Sequence, residues 1–239
     1  MTPGNFDLIS LVYAIAAAFT VVELVRHWRA FVDTVFTPSD DLLAARAGFL
    51  LLTPVGVLLH EAAHYLIATG TAAAAVRLDF RIYWGFVSYR GLLPPEASFA
   101  IAAAGPFMSA LLAVVALAAA LRVPQPFRAV LAAFGASTAL LVVVLYPAMS
   151  FMGGYGDYLT IYSARTPFLA GTAAFTHVLF AAASLWLYRL HARTPARTPW
   201  RWQPARLPAG VADATLEPGP EPPDEPEQRA GPSGPTPSR

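Results

Sequence analysis

The run from Leu42 to Thr69 is long enough and apolar enough to cross a bilayer, yet it carries two histidines and a glutamate in its C-terminal half. In hydrocarbon every backbone amide must find its partner within the segment or a closed sheet. An unbroken apolar run of this length therefore reads as a transmembrane helix. His60, Glu61 and His64 form an H-E-x-x-H pattern on it. Four residues apart, the imidazoles share one helix face and can grip one metal ion. Glu61 is rotated about 100° from His60, close enough to act on a water at that ion without ligating it. Three ionisable groups in one apolar helix are costly unless they serve a site.

The rest of the chain has the same character. Of 239 residues 56% are apolar, which excludes an ordinary soluble domain. Further apolar segments run over residues 6–26, 97–121, 129–149 and 168–188, predicting five to six membrane helices in an all-α fold. Glu23 lies in the last turns of the first, followed by Arg26, His27, Trp28 and Arg29, a basic and aromatic interface edge. That segment lacks a basic leader and a cleavage site, so a retained helix is expected rather than a signal peptide. Residues 33–41 read as a loop and helix start with Ser39 or Asp40 as N-cap. Pro54 should remove one helical hydrogen bond and kink the second helix before His60, and Gly70 should end it.

Between the second and third segments, Val76-Arg77-Leu78-Asp79-Phe80-Arg81-Ile82-Tyr83 largely alternates apolar and charged residues, and Phe86-Val87-Ser88-Tyr89-Arg90 follows Gly85. This predicts a β-hairpin turning near Trp84-Gly85. The fourth segment should break near Tyr146-Pro147. Three glycines around Asp157 predict irregular backbone, tolerated at membrane depth only where it is buried in protein or lines a cavity. Residues 1–191 thus form the membrane domain, with its core at 42–163. Residues 192–239 turn basic and then proline-rich, twelve of the 22 prolines lying between Pro195 and Pro237, and are expected to be a disordered tail.

With no cysteine, a metal must be held by histidine and carboxylate. A net charge of +1 gives no case for nucleic acid as a partner. A catalytic zinc takes three protein ligands and keeps a fourth position for water. Candidates for the third are Asp157, His177, Asp79 and Glu96. Asp157 is favoured, as the acid beside the later apolar segments; Asp79 and Glu96 fall in polar connections, and a lone histidine such as His177 is more often a packing residue.

The H-E-x-x-H in a membrane helix, the hairpin, Ala104-Gly105-Pro106 in the next helix and the glycine-flanked aspartate together resemble the site-2 protease (M50) family of intramembrane zinc metallopeptidases, over residues 45–163. The resemblance implies one Zn2+ ion on His60, His64 and Asp157, Glu61 as general base, and cleavage of membrane-protein or membrane-peptide substrates, as in regulated intramembrane proteolysis. It implies a multi-pass protein of the lipid bilayer of a bacterial cell. The unwound substrate could add as a strand to the hairpin, with Val87 and Tyr89 as contacts, or the hairpin could be a structural cap over the site. Ser109 stands where the family often has a substrate-binding asparagine, and Gly156-Asp157-Tyr158 replaces the family's usual Leu-Asp-Gly. Only residues 122–128 join the third and fourth segments, so no PDZ domain is expected between them. Ten arginines in loops at 26–46, 122–128 and 189–206 against four at 77–90 and 165 place the hairpin outside the cell; the resemblance implies the cytoplasmic side. The rival functions are a catalytically silent metal-binding scaffold and a metal-dependent transporter.

Overall fold

A computed structural model describes residues 3–33 and 35–195. The expected tail starts later than residue 192, because the last helix runs through Arg193, and from residue 196 on it lies outside the described residues. Helix α1 (Pro3–Arg26) is followed by the single turn α2 (Trp28–Phe31) and by α3 (Pro38–Arg46). The N-cap of α3 is Thr37, two residues before the expected start: its hydroxyl accepts from the Asp40 amide, and the Asp40 carboxylate accepts from the Thr37 amide. Pro38 supplies the preset φ of a first helical residue, so the reciprocal cap forms around it. A π-helical turn, Ala47–Leu51, then leads into α4 (Leu52–Thr69), which carries the motif.

The hairpin is present as β1 (Ala74–Phe80) antiparallel to β2 (Gly85–Arg90), with Leu78 opposite Val87 and Phe80 opposite Gly85. Its reversal falls at Arg81–Trp84, earlier than expected, closed by the Arg81 amide on the Trp84 carbonyl at 2.8 Å. Ile82 takes a positive φ of 66° there. A β-branched residue seldom adopts that conformation, so composition directs attention to the later glycine instead. Tertiary bonds hold the turn: Ser10 Oγ donates to the Arg81 carbonyl at 2.7 Å, and the Trp84 indole donates to Asp7.

Next come α5 (Pro95–Ala120) and α6 (Phe127–Leu140); a π-helical turn, Leu141–Leu145, leads to α7 (Tyr146–Gly153). The short helix α8 (Asp157–Ile161) and the long α9 (Pro167–Arg193) complete the chain. Central α5 packs against α4, α6, α8 and α9. Its buried face is mostly small (Ala102, Gly105, Ala110, Ala113, Ala116, Ala120), which lets neighbouring backbones approach closely. Among the described residues, five helical stretches are long and apolar enough to cross a membrane: Asp7–Arg26, Pro38–Thr69, Pro95–Ala120, Phe127–Gly153 and Pro167–Arg193. Large apolar side chains point outward on α1 (Leu8, Val12, Phe19) and α9 (Phe175, Val178, Trp186), as lipid requires. This is a multi-pass membrane architecture with a β-hairpin between its second and third spans.

Both helix irregularities have the same cause and the same remedy. Pro54 has no N–H for the Leu50 carbonyl, and Pro147 has none for Val143. The Leu50 carbonyl instead accepts the Tyr83 hydroxyl at 2.6 Å, from the hairpin. Val143 accepts from His177 Nε2 at 2.9 Å, and the Tyr158 hydroxyl reaches the neighbouring Val142 carbonyl. At the opposite end of α9, buried Arg128 caps the helix by donating to the carbonyls of His191, Thr194 and Pro195 at 2.6–2.8 Å.

Candidate metal centre

The last three turns of α4 face α5, and α8 packs on α5 with Asp157 reaching the histidines of α4. Helical spacing alone brings the motif histidines together: His60 Nε2 and His64 Nε2 are 3.0 Å apart. Asp157 Oδ2 lies 3.2 Å from His64 Nε2 and 3.6 Å from His60 Nε2. Ligands 2.0–2.1 Å from a tetrahedral ion stand about 3.3 Å from each other, so the triangle has the size such an ion requires. Among the described residues, these three offer ligating atoms all within 4.8 Å of one another.

The outer contacts fix how the rings present themselves. The Ile101 carbonyl, 2.6 Å from His64 Nδ1, can only accept, so Nδ1 holds the proton and Nε2 turns a lone pair toward Asp157. A lone pair and a carboxylate oxygen 3.2 Å apart repel unless a cation or a proton lies between them. His60 Nδ1 is 2.9 Å from Ser109 Oγ, which leaves its Nε2 likewise facing inward. Tyr146 donates to Asp157 Oδ2 at 2.7 Å. Every ligand thus has an orienting partner outside the ion's position, the arrangement that secures metal sites.

Two glycines make room for this. A Cβ on Gly105 would fall 2.2 Å from His64 Nε2 and 2.5 Å from His60 Nε2, in the space between the donor atoms. Gly156, at φ 102°, turns the chain out of α7 so that Asp157 opens α8 against the histidines. That φ strains any side-chain-bearing residue. The donor set, the triangle and the cradle at Gly105 fit a divalent metal.

Glu61 is buried beside this triangle and makes no hydrogen bond to the described residues. Gly85 at the start of β2 lies against its side chain. Glu61, His64, Tyr146 and Asp157 open into one cavity of about 580 Å³, walled by β2, the start of α5 and the segment Leu159–Thr166. Val87 and Tyr89 line that cavity. Ser109 does not; it is placed behind His60 as the partner of Nδ1. His177 has both nitrogens engaged, Nε2 on Val143 and Nδ1 by the Tyr162 hydroxyl at 2.9 Å, and is a packing residue. Asp79 lies on β1 opposite Phe86, and Glu96 in the first turn of α5, neither in the ligand cluster.

Sequence reasoning assigned no role to Tyr146 and missed the use of Ile101 as an orienting carbonyl. The only local hint of the former was a tyrosine inside an apolar run, next to the helix-breaking Pro147. Tyr146→Phe removes a hydrogen bond to a ligand while keeping the ring. We expect at least about tenfold weaker zinc binding, measured by competition with a chromophoric chelator; an unchanged affinity would leave Tyr146 with a packing role only. The chain matches no family model, no curated protein and no solved structure.

Proposed function

We propose that the protein is a membrane-embedded zinc metalloprotease of the site-2 protease (M50) type, hydrolysing peptide bonds of membrane proteins or peptides in a bacterial cell membrane. The observation that carries this reading is the meeting of His60, His64 and Asp157 beside a free Glu61 in a cavity. The four groups come from two stretches of chain far apart in sequence, and packing alone has no use for that arrangement in an apolar bundle.

His60, His64 and Asp157 would hold the ion. When bound, zinc polarises a carbonyl as a Lewis acid and lowers the pKa of water from 15.7 towards about 7. Glu61, within the same cavity and unengaged by other side chains, takes the proton from water and returns it to the departing amide nitrogen. Tyr146 keeps Asp157 aimed, the Ile101 carbonyl keeps His64 in the tautomer that leaves Nε2 free, and Ser109 holds the His60 ring in place. A helical substrate hides its carbonyls in its own hydrogen bonds, so the scissile segment must be extended on entry. Val87 and Tyr89 on β2 line the space in which it would lie.

The test pairs zinc content with cleavage of a membrane-inserted peptide by the purified full chain. Chelation should abolish cleavage and added zinc restore it. Asp157→Asn should lower bound zinc and activity together, by at least about tenfold. Undiminished cleavage in the chelated protein would sink the proposal.

A further inference from the structure

The cavity has a second chemical feature that the metal centre does not use. Its lining includes Ser98, Thr160, Ser163, Arg165 and Thr166. Apart from the histidine at the centre, Arg165 is the one cationic residue among those that line it. Its backbone amide donates to Ser163 Oγ at 3.2 Å, closing a tight turn that fixes where the side chain leaves the chain. No ion pair or side-chain hydrogen bond engages its guanidinium among the described residues. Next to it, Thr166 is buried to 6% exposure, and its hydroxyl has no hydrogen-bond partner among the described residues. Helix α9 begins directly behind, at Pro167, so the partial positive charge of its N-terminus adds to the same wall.

An unpaired guanidinium and a helix N-terminus on one wall, with an unpartnered hydroxyl buried at their junction, make a site for an anion with fork-like acceptor geometry. The two carboxylates on the cavity lining, Glu61 and Asp157, are committed to the metal centre, so the anion must come from outside. We infer that the Arg165–Thr166 wall of the cavity binds a carboxylate of the substrate peptide, either an acidic side chain or a free C-terminus. The carrier is taken to be a peptide because this wall shares its cavity with Glu61 and His64, and to that extent the inference rests on the proteolytic reading. It makes the protein selective for acidic or C-terminally free segments, a property that the metal centre alone does not confer.

The test uses zinc-loaded full chain carrying Glu61→Gln, in lipid-free detergent, so that peptides bind without turnover. Four synthetic nonapeptides share one apolar sequence, with Glu or Gln at the central position and a free or amidated C-terminus. Binding is followed by fluorescence anisotropy. Ligation of zinc by a peptide carboxylate would add the same preference in every Arg165 variant, so the quantity read is the part of the charged-over-neutral preference that depends on Arg165. With Arg165 intact, that preference should be about fivefold, as for a solvent-accessible ion pair near the upper end of its range, and should shrink in high salt. Arg165→Gln should abolish it and Arg165→Lys should keep most of it. A preference confined to the Glu/Gln pair identifies an acidic side chain, and one confined to the acid/amide pair identifies a terminus. No preference with Arg165 present, as expected if the guanidinium serves lipid phosphate, or a preference unmoved by Arg165→Gln, overturns the inference. Cleavage is scored separately with Glu61 intact. An Arg165-dependent preference without cleavage would dismiss proteolysis and keep the carboxylate site; cleavage without the preference would do the reverse.

Discussion

Glu61→Gln should leave zinc bound at the wild-type level and lower peptide cleavage by a factor of about 10² to 10⁴, the range general acid–base groups contribute. The two outcomes separate because Glu61 has no ligating atom in the His60–His64–Asp157 cluster and makes no hydrogen bond to other described residues. Glutamine matches its shape and removes the capacity to hold a proton in transit. The substitution therefore leaves the ligands and their orienting partners in place. Bound zinc is counted by atomic absorption, and cleavage is followed on a membrane-inserted peptide by mass spectrometry. Cleavage persisting at the wild-type rate would remove Glu61 from the chemistry. Wild-type cleavage that is already undetectable, with zinc bound, would favour the silent scaffold or the transporter.

Gly105→Ala should have an equally large effect on the metal itself. The added methyl carbon would lie 2.2 Å and 2.5 Å from the two Nε2 atoms, about the distance at which a zinc ion would sit. Either the methyl takes that position or α5 moves away from α4, and both outcomes spoil the triangle. Alanine is a better helix former than glycine by about 1 kcal/mol, so α5 itself should be no weaker. The expected result is zinc at background level in a protein that still purifies as a folded helical species, checked by circular dichroism beside the metal analysis. Stoichiometric zinc at wild-type affinity in Gly105→Ala would place the ion elsewhere.

What could be read from the chain and what could not divide along physical lines. The five spans and the hairpin follow from local pattern, apolar length in the first case and alternation in the second. The His60–Glu61–His64 relation is also local, because a helix sets it within four residues. Asp157 stood out through its setting of glycines in an apolar region, and Gly156 does adopt a positive φ. The parts that depend on how α5 lies against α4 were not legible. Ser109 follows Gly105 by one helical turn, and only the packed register turns it onto His60 Nδ1 rather than into the cavity. Ile101 contributes a backbone carbonyl, which no side-chain pattern reports. The start of α3 was missed by two residues because Ser39 and Asp40 are good caps in isolation, while Pro38 favours Thr37.

The two prolines that follow the π-helical turns also set a rule of co-dependence. Each removes a bond that a helix would make within itself and hands the spare acceptor to a distant donor, Tyr83 in the hairpin or His177 in α9. Pro54 and Tyr83, and likewise Pro147 and His177, therefore act as matched pairs. Restoring an N–H at 54 or 147 would give the carbonyl back to its own helix and leave the distant donor without a purpose. Losing the donor would strand a carbonyl in hydrocarbon. The backbone satisfaction of these two spans thus rests on partners far along the chain, and neither member of a pair is free to change alone.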